Sequence, residues 1–99
     1  MISEEFLKRF KDRMIISHKA EDNRLKDLLS SSYVYVSSRC GEFSLDGDSE
    51  IDIRGQELVL ERSRYAFNDA VEYFENNFLS DITALGIDMA YPMESDTDA

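Results

Sequence analysis

Residues 60–78 read LERSRYAFNDAVEYFENNF, and their spacing decides the fold class. At about 100° per residue, Leu60, Ser63, Phe67, Ala70, Val71, Phe74 and Phe78 fall on one continuous apolar arc of a helix. Arg62, Tyr65, Asp69 and Tyr73, spaced by three, four and four, fall on a second arc. A chain of 99 residues has one small core, so one helical face is enough for folding. The second face has two readings. Tyrosine and arginine are favoured at the energetic centres of protein interfaces, so the four residues fit a contact surface for another chain. They equally fit a helix packed on both sides within its own domain. On the contact reading, Tyr65→Ala spares the monomer and weakens assembly, whereas Phe74→Ala strikes the core.

The long helix is expected from about residue 56 to 77. Upstream, Ser3 followed by Glu4 and Glu5 places a capping hydroxyl and two carboxylates where the helix dipole favours negative charge, and Phe6, Leu7, Phe10 and Met14 form the stripe of a first helix. Residues 15–19 read as a connector, with Ser17 a candidate cap for the next helix. That second helix is expected over residues 20–40, because Leu25, Leu28, Leu29, Ser32, Val36 and Cys40 keep helical spacing. Tyr33-Val34-Tyr35-Val36 alone suits a strand, but the flanking leucines decide for helix. Gly41 stands where a left-handed cap belongs.

Residues 42–55 carry five carboxylates and one arginine. Phe43 and Leu45 before Asp46-Gly47, then Ile51 and Ile53 after it, fit a short hairpin. Past the long helix, residues 81–85 suit one more turn ended by Gly86, and residues 87–92 an extended arm. The expected architecture is mainly α: one helical domain over residues 1–92, ending in the arm, then an acidic tail over residues 93–99 that composition marks as disordered. Val34 and Leu58 fall off the apolar arcs of their helices, which adds weight to oligomer contacts.

Composition bounds the function. Hydrophobic content of 42% with 11% aromatic residues is that of a folded domain. The longest apolar run is far short of the ~18 residues a membrane span needs, and no leader pattern precedes the first charges; a soluble, cytoplasmically made chain is expected. The single cysteine, Cys40, excludes an internal disulfide. A net charge of −10 disfavours binding to nucleic-acid phosphates, which takes clustered Lys and Arg. The charge is uneven: residues 1–26 hold seven basic and five acidic side chains, residues 27–99 four and sixteen. Such a surface either serves solubility or keeps the protein beside a polyanion without sticking to it.

Catalytic and metal chemistry find little support. Counting from Asp46, Asp48, Glu50, Asp52 and Glu57 complete positions 1, 3, 5, 7 and 12 of a calcium-loop pattern. Ile51, however, holds the position of the turn glycine, and Arg54 holds position 9, so a solvated acidic loop is the better reading. His18 is the only histidine, which removes His-pair metal sites and a Ser-His-Asp set; it reads as an exposed connector residue. Cys40 ends an apolar stripe and reads as a small core residue. No glycine-rich phosphate loop occurs. No enzyme, metal or cofactor is expected.

The order of these segments, two short helices, an acidic insertion and a long helix, resembles the head–tail connector proteins of long-tailed bacteriophages, also called head-completion, adaptor or DNA-packaging proteins. The resemblance covers most of residues 5–91. It is carried by Glu61-Arg62-Ser63-Arg64-Tyr65-Ala66-Phe67-Asn68-Asp69-Ala70, by Tyr73-Phe74-Glu75, by Leu85-Gly86-Ile87 and by Leu25-Lys26-Asp27-Leu28-Leu29. It implies a helical subunit of a homo-oligomeric ring, typically of twelve copies, beneath the portal protein of the DNA-filled head. Such a ring extends the DNA channel without sequence-specific binding and receives the stopper or tail-completion protein. The location implied is the virion neck, with the host cytoplasm as the place of assembly.

On this reading Arg62, Tyr65, Asp69 and Tyr73 are candidate subunit contacts. The acidic loop with Asp46, Asp48, Glu50 and Asp52 is a candidate channel lining. Ile87, Met89 and Tyr91 of the arm are candidates for reaching a neighbour or the portal. The competing expectation is a small acidic inhibitor imitating nucleic-acid charge, or an antitoxin-like regulator, acting on a basic partner.

Overall fold

The computed structural model describes residues 2–92. Within them the chain forms four α-helices, α1 (Glu4–Met14), α2 (Asp22–Cys40), α3 (Glu50–Phe67) and α4 (Phe74–Ala90), with a 3-10 turn at Val71–Tyr73 before α4. The tail beyond residue 92 lies outside the described residues. The mainly α fold read from spacing is the observed one.

The Ser3 hydroxyl accepts from the Phe6 N–H at 3.0 Å and starts α1 as its position predicts. Helix α2 begins at Asp22 rather than residue 20, with Glu21 at its cap; Ser17 lies in the connector and does not start it. Leu25, Leu29, Ser32, Val36 and Cys40 are buried as the spacing predicts, and the Tyr33–Val36 run is helical. Gly41 ends α2 by donating its N–H to the Ser37 carbonyl. It does so at φ 120°, ψ 166°, glycine-favouring but outside the left-handed helical region.

Three expectations fail, that of the extended arm among them. The hairpin does not form: among the described residues no strand occurs, and Ile51 and Ile53 belong to α3. Ser49 takes the cap role, its hydroxyl accepting from the Asp52 N–H at 3.1 Å, so the helix starts inside the stretch assigned to a returning strand. Nor does the long helix run to residue 77. It stops at Phe67, where Asp69 takes φ 57°, the Asp69 N–H bonds the Ala66 carbonyl and the Ala70 N–H bonds the Tyr65 carbonyl. That is a Schellman stop with aspartate, one of the few non-glycine residues that tolerate it, at the left-handed position.

The gain is burial. The chain folds back, so that Phe74 is 1% exposed and stands edge-on to Tyr65 at 5.8 Å between ring centroids. A straight helix would carry it roughly 13 Å further along the axis. The expected terminal arm is also helical through Ala90, and α4 passes through Gly86.

Helices α2 and α3 are antiparallel: Arg62 meets Ser32, and Ser63 reaches the Leu28 carbonyl. Helix α4 returns alongside α3, with Arg54 paired to Asp88 at 2.8 Å and Asn77 bonded to Tyr65. Helix α1 is tied to α2 by Lys26–Glu4 and Lys11–Asp22, and to α3 by Arg13, which grips both Glu57 and Glu61. The core, from Phe6 and Phe10 through Leu25, Leu29, Val59 and Leu60 to Phe74 and Leu85, is one cluster.

Candidate functional site

The four residues expected on one contact face are separated by the break after Phe67. Arg62 turns toward α2, donates to Ser32 Oγ at 3.2 Å and lies over the Tyr35 ring at 4.4 Å. Burial pushes its pKa below the ordinary arginine value, against the opposing pull of Tyr35, and it makes no ion pair among the described residues. The Tyr35 hydroxyl in turn donates to Glu75 Oε1 at 2.8 Å. Arg39 holds both oxygens of that carboxylate at 2.8 and 3.1 Å. Hydrogen bonds from Arg39 and Tyr35 hold Glu75 below the usual carboxylate range, while burial, then the bond to Glu75, raises the Tyr35 phenol. Arg62 thus belongs to the seam that clasps α2, α3 and α4 together.

Tyr65 lies inside the α3–α4 hairpin. Its ring contacts Phe74 and Phe78 edge-on, 5.8 and 5.7 Å away, and its hydroxyl accepts from Asn77 Nδ2 at 3.0 Å. Asp69 and Tyr73 sit exposed at the turn itself. Of the two residues off their apolar arcs, Val34 is exposed, but Leu58 is buried, because α3 is covered by α2 on one side and α4 on another.

The acidic loop is anchored at its root. Gln56, buried on α3, donates from Nε2 to the Ser44 and Gly47 carbonyls, both at 2.9 Å, and accepts from Arg9 at 2.9 Å. Phe43 is buried against Tyr33, whose hydroxyl donates to the Phe43 carbonyl at 3.0 Å. Asp46, Asp48 and Glu50 are exposed. Asp52 instead folds back to accept from the Ser44 N–H at 2.8 Å, and Glu57 is engaged by Arg13. The carboxylates of the calcium-like pattern therefore do not converge: Asp46, Asp48 and Glu50 face water, while Asp52 and Glu57 are held by different partners. Among the described residues no group of three or more His, Cys, Asp or Glu is arranged to hold a metal.

His18 is exposed in the connector. Cys40 is buried, its Sγ directed at the Ile82 carbonyl at 3.5 Å; burial raises its thiol pKa, the opposite of an activated nucleophile. An open groove of about 300 Å³ between α3 and α4 has Ile53, Leu58, Phe78 and Leu85 as apolar lining. Of its polar rim, Glu57, Glu61 and Arg54 are committed to Arg13, Arg64 and Asp88, and Asp81 is exposed.

The residues assigned to the arm separate by helical phase. Met89 turns inward onto Gly41, where an added Cβ would meet its Cε at 3.1 Å. Ile87 and Tyr91 point outward, 54% and 74% exposed, in line with Leu79 at 51%. Thr83 and Ala90 are exposed between them, and all five line one shallow depression. Sequence reading missed this face because it treated residues 87–92 as extended. The signal was present: in residues 79–91 the only charges are Asp81 and Asp88, seven apart and therefore on one side of a helix, which leaves the rest of the circumference uncharged.

No protein-family model matches the chain, and comparisons with curated proteins and with solved structures return no match.

Proposed function

We propose that this chain is a structural subunit of a phage neck: an adaptor that assembles as a ring of about twelve copies under the portal protein, carries the DNA channel onward and receives the stopper or tail-completion protein. The observation that carries the reading is the outer face of α4. Leu79, Ile87 and Tyr91 are more than half exposed in one row, with no charge among them, on a chain in which 32% of residues are charged. A contiguous apolar face of this kind marks a protein contact surface. The resemblance of residues 61–70, 73–75 and 85–87 supplies the identity of the assembly.

The acidic surface suits the same role. Twelve copies at −10 each bring roughly −120 to the ring, a field that repels phosphates and lets a duplex slide past. Asp46 and Asp48, exposed on a loop pinned by Gln56 and Phe43, and Glu50, exposed at the start of α3, are its proposed channel lining, with Asp52 bracing the loop. The role is one of assembly and not of catalysis. Among the described residues no helix is long and apolar enough to cross a membrane.

Native mass spectrometry of the chain, alone and with the portal protein on which it is proposed to dock, tests the proposal. A ring-on-ring complex with matched copy numbers is expected, even from a chain that is monomeric alone. A chain that ignores the portal overturns the proposal. The same loop favours a second reading, an inhibitor of a basic nucleic-acid-binding protein; salt-sensitive one-to-one binding to such a partner, without a ring, would establish it instead.

A further inference from the structure

Between Ile2 and Cys40 the chain contains neither glycine nor proline, the residues that most readily end a helix. The break between α1 and α2 is made instead at Ile15, at φ 59° and ψ 49°, where a β-branched side chain is crowded by its own backbone. That side chain faces water. Ser17, His18, Lys19 and Ala20 are exposed as well, and of the apolar side chains in residues 15–21 Ile16 alone rests partly on the core. The two hydrogen bonds that close the break, from Ile15 to Asp12 and from Ile16 to Lys11, are ones a continuing helix would replace.

The break is therefore held from the α1 side. Phe6, Leu7 and Phe10 are each at most 2% exposed. The ion pairs that leave α1 end on α2 or α3, as Lys26–Glu4 and Arg13–Glu61 do, and among the described residues none ends on the connector. The seat of α1 thus recognises the helix by its side chains, whichever path the chain takes to bring it there. Charge selects the same occupant. Helix α1 holds four basic and three acidic side chains, so it carries +1 while the remainder of the chain carries −11. A helix of that charge from a second copy meets the seat with every ion pair already matched.

We propose that α1 is exchanged between copies: the break at Ile15 opens, and the seat on α2 and α3 takes α1 from a second copy while giving up its own. The interface is the intramolecular one, made twice between two chains. All buried contacts of α1 are kept, and Ile15 leaves the left-handed region in both copies; strained hinges of this kind favour exchange. The inference goes beyond the adaptor reading and does not rest on it, because exchange is a property of the free chain.

The test follows who supplies α1. Glu4→Cys and Lys26→Cys are made in separate full-length chains, at a pair whose charged atoms lie 2.8 Å apart and whose side chains reach water; Cys40 is buried. Equal amounts are unfolded together in urea, refolded at high concentration and treated with a short bis-maleimide. A covalent dimer joining one variant to the other is expected, together with a dimer of the untreated wild type in sedimentation velocity that grows with concentration. Ile15→Gly takes the left-handed backbone without strain and disfavours a continued helix, so its dimer should be at least about tenfold weaker.

A wild-type dimer without the mixed cross-link would mean that another surface pairs, and would overturn the exchange. Ile15→Gly dimerising as strongly as the wild type would overturn it too, as would a chain that stays monomeric through refolding and gives no mixed cross-link. A ring on the portal protein beside any of these results would leave the adaptor reading in place. An exchanged dimer from a chain that ignores the portal would keep the exchange and overturn the adaptor reading.

Discussion

Ile15 and Asp69 occupy the same position at two helix ends. Each follows the last turn in the left-handed region, at φ 59° and 57°, and each helix stops with the same paired hydrogen bonds, from Ile15 and Ile16 to Asp12 and Lys11 in α1 and from Asp69 and Ala70 to Ala66 and Tyr65 in α3. For aspartate the strain is slight; for a β-branched residue it is about 1–2 kcal/mol. Ile15 is also 91% exposed, so its side chain returns nothing to the monomer. Ile15→Gly should raise stability by about 1 kcal/mol after the entropy cost of glycine, read as a higher midpoint in urea, and Asp69→Gly should do less. Tyr65 moves the other way. Tyr65 is half-buried and edge-on to Phe74 and Phe78, so Tyr65→Ala is a truncation costing about 2–4 kcal/mol, below or near the roughly 3–5 kcal/mol expected of Phe74→Ala at a fully buried site. This differs from the intact Tyr65→Ala monomer of the contact reading, and the urea midpoint of that variant decides between them; Tyr65→Phe, which loses only the bond from Asn77, should cost about 1 kcal/mol or less.

At the scale of elements, the loop between α2 and α3 depends on a glycine in the middle of a helix. Gly55 lies under the Phe43 ring, and a Cβ there would stand 2.5 Å from two ring carbons. Gly55→Ala would improve helix propensity by up to about 1 kcal/mol but must unseat Phe43 from the core, an overpacking cost of about 1–3 kcal/mol. The net expectation is a loss of stability with faster amide exchange at Ser44, whose N–H is held by Asp52. Slower exchange in that variant would mean that the ring accommodates the methyl and that Gln56 alone holds the loop. The α3–α4 hairpin follows the same logic. Asn68-Asp69 supplies a left-handed stop, and the three rings Tyr65, Phe74 and Phe78, the last two stacked at 4.9 Å, supply the reason to fold back.

For the whole molecule, acid stability turns on carboxylates shared between helices. Burial of Glu61 works to raise its pKa, but hydrogen bonds and charge from Arg64 and Arg13 outweigh it, and the folded value lies below the ordinary one. Its unfolded pKa is about 4.3. The stabilisation is therefore complete above that value and is lost as pH falls through the depressed folded value. Glu61→Gln should consequently be less stable than the wild type near neutrality, with the gap closing as the pH is lowered below about 4. Urea midpoints of both proteins across that range measure it; a gap that widened toward acid would contradict the assignment. Arg13 joins α1 to α3 through the same carboxylate, so α1 is the helix expected to loosen first in acid.

Periodicity and composition alone carried the helical class, the start of α1 at Ser3, the core face of α2 and the anchoring role of Phe74, because each rests on local spacing that any helical context must bury. The positions of Leu58, Tyr65 and Arg62 depended on where α3 stops and what returns beside it. Local pattern was silent there, since residues 60–78 satisfy one helix as well as two. Only the fold-back of Phe74 and Phe78 onto Tyr65, a contact between residues distant along any straight helix, selected two. The outer face of α4 was equally readable as uncharged, but it became a face only once tertiary packing turned Ile82, Leu85 and Met89 inward and left Leu79, Ile87 and Tyr91 facing water.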